Sequence, residues 1–114
     1  MQSSPFHVLN VSNSLVGSLP PVIKTLKGCN AALVDQLVRA ATSVPQNISE
    51  GNRRSGKDRT YLFRVAAGST AEVQSCLRSA VLLGYLDESS IEKPLEFADR
   101  ILAMLWRLTH KTRR

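Results

Sequence analysis

Residues Gly51 to Asp58 read GNRRSGKD, one residue short of a phosphate-binding loop, G-x-x-x-x-G-K followed by Ser or Thr. In such a loop backbone amides cradle the phosphates, the lysine reaches the outer phosphates and the hydroxyl coordinates Mg²⁺. Here Asp58 stands where the hydroxyl is needed. The preceding LVDQLVRAATSVPQNISE repeats its apolar residues at helical spacing instead of forming a buried strand. Without a strand before it the stretch reads as an interhelical turn. Gly51 is expected to end one helix in the left-handed conformation, and Gly56 to turn the chain before Asp58 or a neighbour caps the next. The chemistry left to this turn is charge. Arg53, Arg54, Lys57 and Arg59 stand against Asp58 alone, and they are the candidate nucleic-acid-binding residues, a solvated turn being the alternative. Tyr61 and Phe63 follow, as candidates for base stacking, for the core or for a subunit contact. A second basic cluster, Arg107, Lys111, Arg113 and Arg114, complements the dipole at the end of a helix.

Catalytic chemistry finds little to work with. A di-iron bundle needs paired Glu-x-x-His motifs, but His7 and His110 lie at opposite ends of the chain, without a carboxylate at that spacing. Cys29 follows Gly28 at a turn, Cys76 falls on an apolar seam, and neither has a histidine within motif distance. AAGSTAE does not supply the G-x-S-x-G elbow of a serine hydrolase. No catalytic residue, cofactor or metal is expected. A second polar group is more informative: Arg39, Asn47, Glu50 and Glu72 fall near helical seams, where an interhelical network would fix the packing of one helix pair, and a polar pocket is the alternative. Glu50 can pair with Arg53 or Arg54 at i+3 or i+4.

These residues must be positioned by one domain, since 114 residues suffice for a single core spanning 1–114. A hydrophobic share of 43% with 21% charged residues is that of a globular chain, and the net charge of +6 favours polyanionic partners without identifying one. The first residues, MQSSPFHVLNVSNSLVGSLPP, lack a basic n-region, and no segment reaches the ~18 uninterrupted apolar residues of a membrane span. A soluble, cytoplasmic protein with reduced thiols is expected.

Apolar spacing predicts the elements. Leu62, Ala66, Ser69, Val73, Cys76, Ala80 and Leu83 form a 4-3-4-3 seam over 58–83, closed by Gly84. Ile91, Leu95, Ala98, Leu102 and Leu105 form another, with Asp87, Glu88 and Glu92 near its positive end and Pro94 about one turn inside. Leu33, Leu37, Ala40 and Val44 give a third helix, capped by Asn30 and kinked but not stopped at Pro45. Leu9, Val16, Leu19, Ile23 and Leu26 give a first helix that Pro20-Pro21 must break or bend. Short turns between four helices imply an all-α, antiparallel up-and-down four-helix bundle.

The joint pattern of QLVRAATSVPQNISEGNRRS (Gln36 to Ser55) and AAGSTAEVQSCLRSAVLLGYL (Ala66 to Leu86) resembles the four-helix-bundle proteins encoded in intervening sequences of bacterial large-subunit ribosomal RNA genes. More distantly, the chain is similar to the accessory proteins of diversity-generating retroelements, basic bundles that engage a reverse transcriptase and its RNA. The resemblance implies a small cytosolic bundle, a homopentamer and no established catalytic activity. Pro20-Pro21 departs from the continuous first helix that the resemblance implies. Tyr85, Leu86, Phe97 and Trp106 are the expected members of an apolar subunit contact. Two readings follow: a non-enzymatic oligomer whose basic edges hold RNA or a nucleic-acid-handling partner, or a purely structural assembly with no nucleic-acid role.

Overall fold

The computed structural model describes residues 4–110. Helix α1 (Pro5–Gly17) starts where Ser4 Oγ accepts the His7 N–H at 3.0 Å and Pro5 occupies the first turn, a place where a missing N–H costs nothing. The predicted break falls at Ser18-Leu19, because neither Pro20 nor Pro21 can donate to a carbonyl one turn back. Helix α2 (Pro20–Lys27) then resumes and still delivers Val22 and Leu26 to the core. Asn30 caps α3 (Ala31–Asn52), its side chain accepting the Leu33 N–H at 3.0 Å, and α3 runs through Pro45 without stopping. Gly56, at φ +59°, opens α4 (Gly56–Leu82), and Gly84, at φ +82°, reverses the chain ahead of α5 (Glu88–Thr109). Both angles lie in the left-handed region that suits glycine. The first of the four predicted helices is therefore two segments, α1 and α2.

Helix α3 packs on α4, α4 on α5, α1 on both α3 and α5, and α2 on α3. Residues meet in descending against ascending order: Gly51 faces Phe63, and Ser43 meets Ser69 further along. Gln74 bonds Asp99 across α4 and α5, while Arg78 bonds Glu88. Neighbours are thus antiparallel, as connections of a few residues require. The bundle measures 50 × 24 × 19 Å, and α4, with 27 residues, spans most of its length at about 1.5 Å per residue. No strand occurs among the described residues.

Gly51 departs from its expected role. It lies inside α3, without positive φ, and a Cβ there would come within 2.6 Å of the Phe63 ring. Its small size, not a left-handed turn, lets α3 and α4 close on each other where Phe63 is buried. The turn itself is capped differently as well. Ser55 holds the N-cap position without a side-chain bond, and Asp58 sits in the first turn, where its charge suits the helix dipole.

The predicted seams are rotated in places. On α4 Phe63, Thr70 and Leu77 are buried, while Leu62 and Ser69 are only half-buried and Leu83 is 59% exposed. A helix touching neighbours on two sides needs an apolar face wider than a single 4-3 seam. On α5 Ile101 and Met104 fill the core, Leu95 packs at its edge, and Leu102 is only half-buried. Pro94 is buried, further along α5 than the single turn expected. Buried Thr70 and Ser12 satisfy their hydroxyls within their own helices, on Ala66 O and Leu9 O, both at 2.8 Å. Tyr85 and Phe97 are half-buried and Leu86 is buried, so of the expected contact residues Trp106 stands out, at 60% exposure; the last turn of α4 adds Leu82, at 84%.

Candidate functional site

The antiparallel arrangement gathers the start of α1, the end of α3, the start of α4 and the end of α5 at one end of the bundle. Asn52 ties two of them, its Nδ2 donating to Pro5 O at 3.2 Å. The basic turn 53–55 crosses this end, and its cations differ in what they touch. Arg54 is engaged: Nη2 meets Glu50 Oε2 at 2.6 Å, and Nη1 lies 4.0 Å from Asp58 Oδ2. Arg59 rests over the Phe63 ring, 5.5 Å from its centroid. Arg53 and Lys57 are exposed and have no ionic partner among the described residues. Of the alternatives for Glu50, the structure selects Arg54.

Arg64, which the sequence reading passed over, belongs with Lys57. A groove at the start of α4 is lined by Gly56, Lys57, Thr60, Tyr61 and Arg64. Lys57, Tyr61 and Arg64 are spaced i, i+4 and i+7, one face of a helix, and all are exposed. That spacing was available in the sequence. Phe63 goes to the core and Tyr61 to solvent, 66% exposed, which separates the two aromatics. Of the second basic cluster, Arg107 lies in the last turn of α5, while Lys111, Arg113 and Arg114 lie outside the described residues.

Arg39, Asn47, Glu50 and Glu72 do not form one network. Glu50 turns to Arg54, and Asn47 Nδ2 donates within α3 to Ser43 O and Ser43 Oγ, at 2.8 and 3.0 Å. The bond that crosses between α3 and α4 joins Ser43 Oγ to Ser69 Oγ at 2.9 Å. Arg39 and Glu72 line a shared polar cleft between these helices without an ion pair within 4.0 Å. The small hydroxyls reach each other because the backbones are close. The longer side chains turn outward to water, where a charge is cheapest.

Among the described residues the Thr109–His110 pair gives nucleophile chemistry no support. Thr109 Oγ1 lies 3.0 Å from His110 Nδ1, but Nδ1 also lies 3.0 Å from Trp106 O. A carbonyl only accepts, so Nδ1 carries the proton and is no base for the hydroxyl, which itself donates to Leu105 O at 2.9 Å. Among the described residues no cluster of three or more His, Cys, Asp or Glu could hold a metal ion, and no helix is long and apolar enough to cross a membrane.

Cys29 is exposed and Cys76 buried. Burial pushes the Cys76 thiol above its ordinary pKa, and the charge of Glu72 adds to the effect. A thiol reagent at neutral pH is therefore expected to label Cys29 in the folded protein and Cys76 only after unfolding, as peptide mass mapping would show. Equal labelling of both in the native state would contradict the core placement. The sign for stability follows. The folded state holds the Cys76 proton more tightly, so this contribution is complete below the unfolded thiol pKa and is lost as pH rises through the folded one.

A profile of the family described as 23S rRNA-intervening sequence protein matches residues 7–107. Among solved structures, the chain is similar to a protein of unknown function from the S23 ribosomal protein family of Bacteroides thetaiotaomicron. The two are 19% identical, the match covers 92% of this chain and 99% of that one, and the TM-score is 0.82. At that identity the likeness shows the fold. No curated protein matches the chain.

Proposed function

The chain belongs to the 23S rRNA-intervening sequence protein family, and from that membership we propose that it acts without catalysis, as a cytoplasmic oligomer of bundles that holds RNA by its phosphate backbone. The observation that carries this reading is the exposed set Arg53, Lys57 and Arg64 around the start of α4, without acidic partners among the described residues. Phosphates favour such a place for two reasons: the cations themselves, and the positive end of the α4 dipole, which Asp58 only partly offsets.

Assembly into five copies is part of the proposal. What supports it is apolar surface left over by the single bundle, with Leu82 84% and Leu83 59% exposed at the far end of α4 from the basic turn. In a closed ring each subunit presents its basic end on the same rim, so one weak contact is repeated and a long polyanion gains from multivalency.

Filter binding with mixed cellular RNA tests the reading, alongside light scattering. Retention is expected to fall steeply between ~0.05 and ~0.2 M salt, because each neutralised phosphate releases counterions. The scattering mass is expected near five times the 12.5 kDa chain. A protein of that mass that retains no RNA near ~0.1 M salt, where charges are screened beyond about 10 Å, would leave the purely structural reading in its place. A strict monomer would remove the ring.

A further inference from the structure

Two aromatic side chains at the basic end are held in water. Tyr61 is 66% and Trp106 60% exposed, although the nearby core takes Phe63 and Leu105 almost completely. Trp106 is not loose. Its indole stacks on the His110 imidazole, with centroids 4.4 Å apart and planes within 7°, and His110 is in turn held by Trp106 O and Thr109. Arg64 connects the two aromatics. It lines the groove of Lys57 and Tyr61, and it also lines the apolar cleft of about 330 Å³ between α4 and α5 where Trp106 and His110 lie.

We propose that this end of the bundle is a stacking site for unpaired nucleobases, with Tyr61 and Trp106 as platforms on either side of Arg64. The proposal rests on the phosphate-binding reading above and narrows it to single-stranded nucleic acid. A duplex offers phosphates but hides its base faces, so it engages Lys57 and Arg64 and leaves the aromatic rings unused. A single strand supplies both, phosphate to the cations and a π-face to each ring. The site's charge is complementary to that occupant: Lys57 and Arg64 flank Tyr61 on its own helix face, and the acidic residue nearest in sequence, Asp58, lies toward Arg54. A ring preset by stacking on His110 loses little freedom when a base docks, which favours binding.

Trp106 is the single tryptophan of the chain, so its fluorescence reports the site directly. The full-length protein is titrated at ~0.1 M salt with an oligouridine of about 15 nucleotides, near the upper end of single-strand site sizes, with an RNA duplex of the same length and with poly-L-glutamate. Quenching is expected with the single strand and little with the other two. Tyr61→Ala is expected to weaken single-strand binding roughly 5- to 150-fold, in the range of losing one stacked base, while Tyr61→Phe keeps the ring and the affinity. Trp106→Ala removes the fluorophore, so its binding is followed by filter retention of the labelled oligouridine; it is expected to weaken single-strand binding similarly with the oligomeric mass unchanged. Equal binding of strand and duplex, indifferent to Tyr61→Ala, would overturn the stacking site while the phosphate reading stands. Binding of neither RNA sinks both. Quenching by poly-L-glutamate as strong as by oligouridine reduces the surface to charge, and loss of oligomer mass in Trp106→Ala assigns the indole to a subunit contact; either overturns the proposal.

Discussion

Removing Arg53, Lys57 and Arg64 together, each as Ala, is expected to lower RNA affinity per subunit site roughly 100-fold near 0.1 M salt, at about fivefold for each lost phosphate contact. The slope of log affinity against log salt should shrink by about 2, from ~0.7 per contact on single strands. The comparison that gives this prediction its content is the double variant Arg54→Ala with Arg59→Ala. It removes two charges against three, yet Arg54 is held on Glu50 at 2.6 Å and Arg59 rests over the Phe63 ring. Both cations would have to leave a partner to reach a phosphate, so the double variant should lose far less affinity. Removing Arg54 also leaves Glu50 unpaired beside the turn, which adds repulsion, and a modest loss is expected for that reason alone. If the double variant loses affinity by the same factor per removed charge as the triple, about 25-fold in all, the division of the turn into engaged and available cations is wrong, and only total charge matters.

The second large effect concerns the core. Leu37→Ala is expected to cost about 2–5 kcal/mol, because the side chain is wholly buried in α3 and its removal adds a cavity to the lost transfer energy. Leu102→Ala, expected from the apolar spacing to cost as much, should cost clearly less. Leu102 is half-buried at the edge of the α4–α5 cleft, so water or neighbouring side chains can fill the space. Urea unfolding at one fixed protein concentration would measure both, since an oligomer's apparent stability depends on concentration. A Leu37→Ala protein as stable as the parent, or a Leu102→Ala loss equal to it, would be inconsistent with the packing described here.

Much of the architecture was legible in the chain. The helical period of the apolar residues, Asn30 as a cap, Gly84 past the end of α4 and the break before Pro20-Pro21 are local matters, governed by backbone geometry within a few residues, and the structure bears each of them out. The family was legible from a joint motif spread over α3 and α4, and the family profile, matching residues 7–107, agrees. What the sequence left open was which way each side chain turns once neighbours arrive. Tyr61 and Phe63 are alike in type and two residues apart, but Gly51 of α3 makes room for the Phe63 ring while Tyr61 stays 66% exposed. Arg39 and Glu72 approach the same cleft without pairing, whereas Ser69, read in the sequence only as a small seam residue, bonds across it to Ser43. Four arginines and lysines in one turn look equivalent as letters; Glu50 and Phe63 sort them. Periodicity assigns a residue to a face only within the error of a 3.5- against a 3.6-residue repeat, about 20° per heptad. The width of the buried face, the exposure of each ring and the partner of each charge depend on contacts between segments far apart in sequence, and those distances exist only after the helices pack.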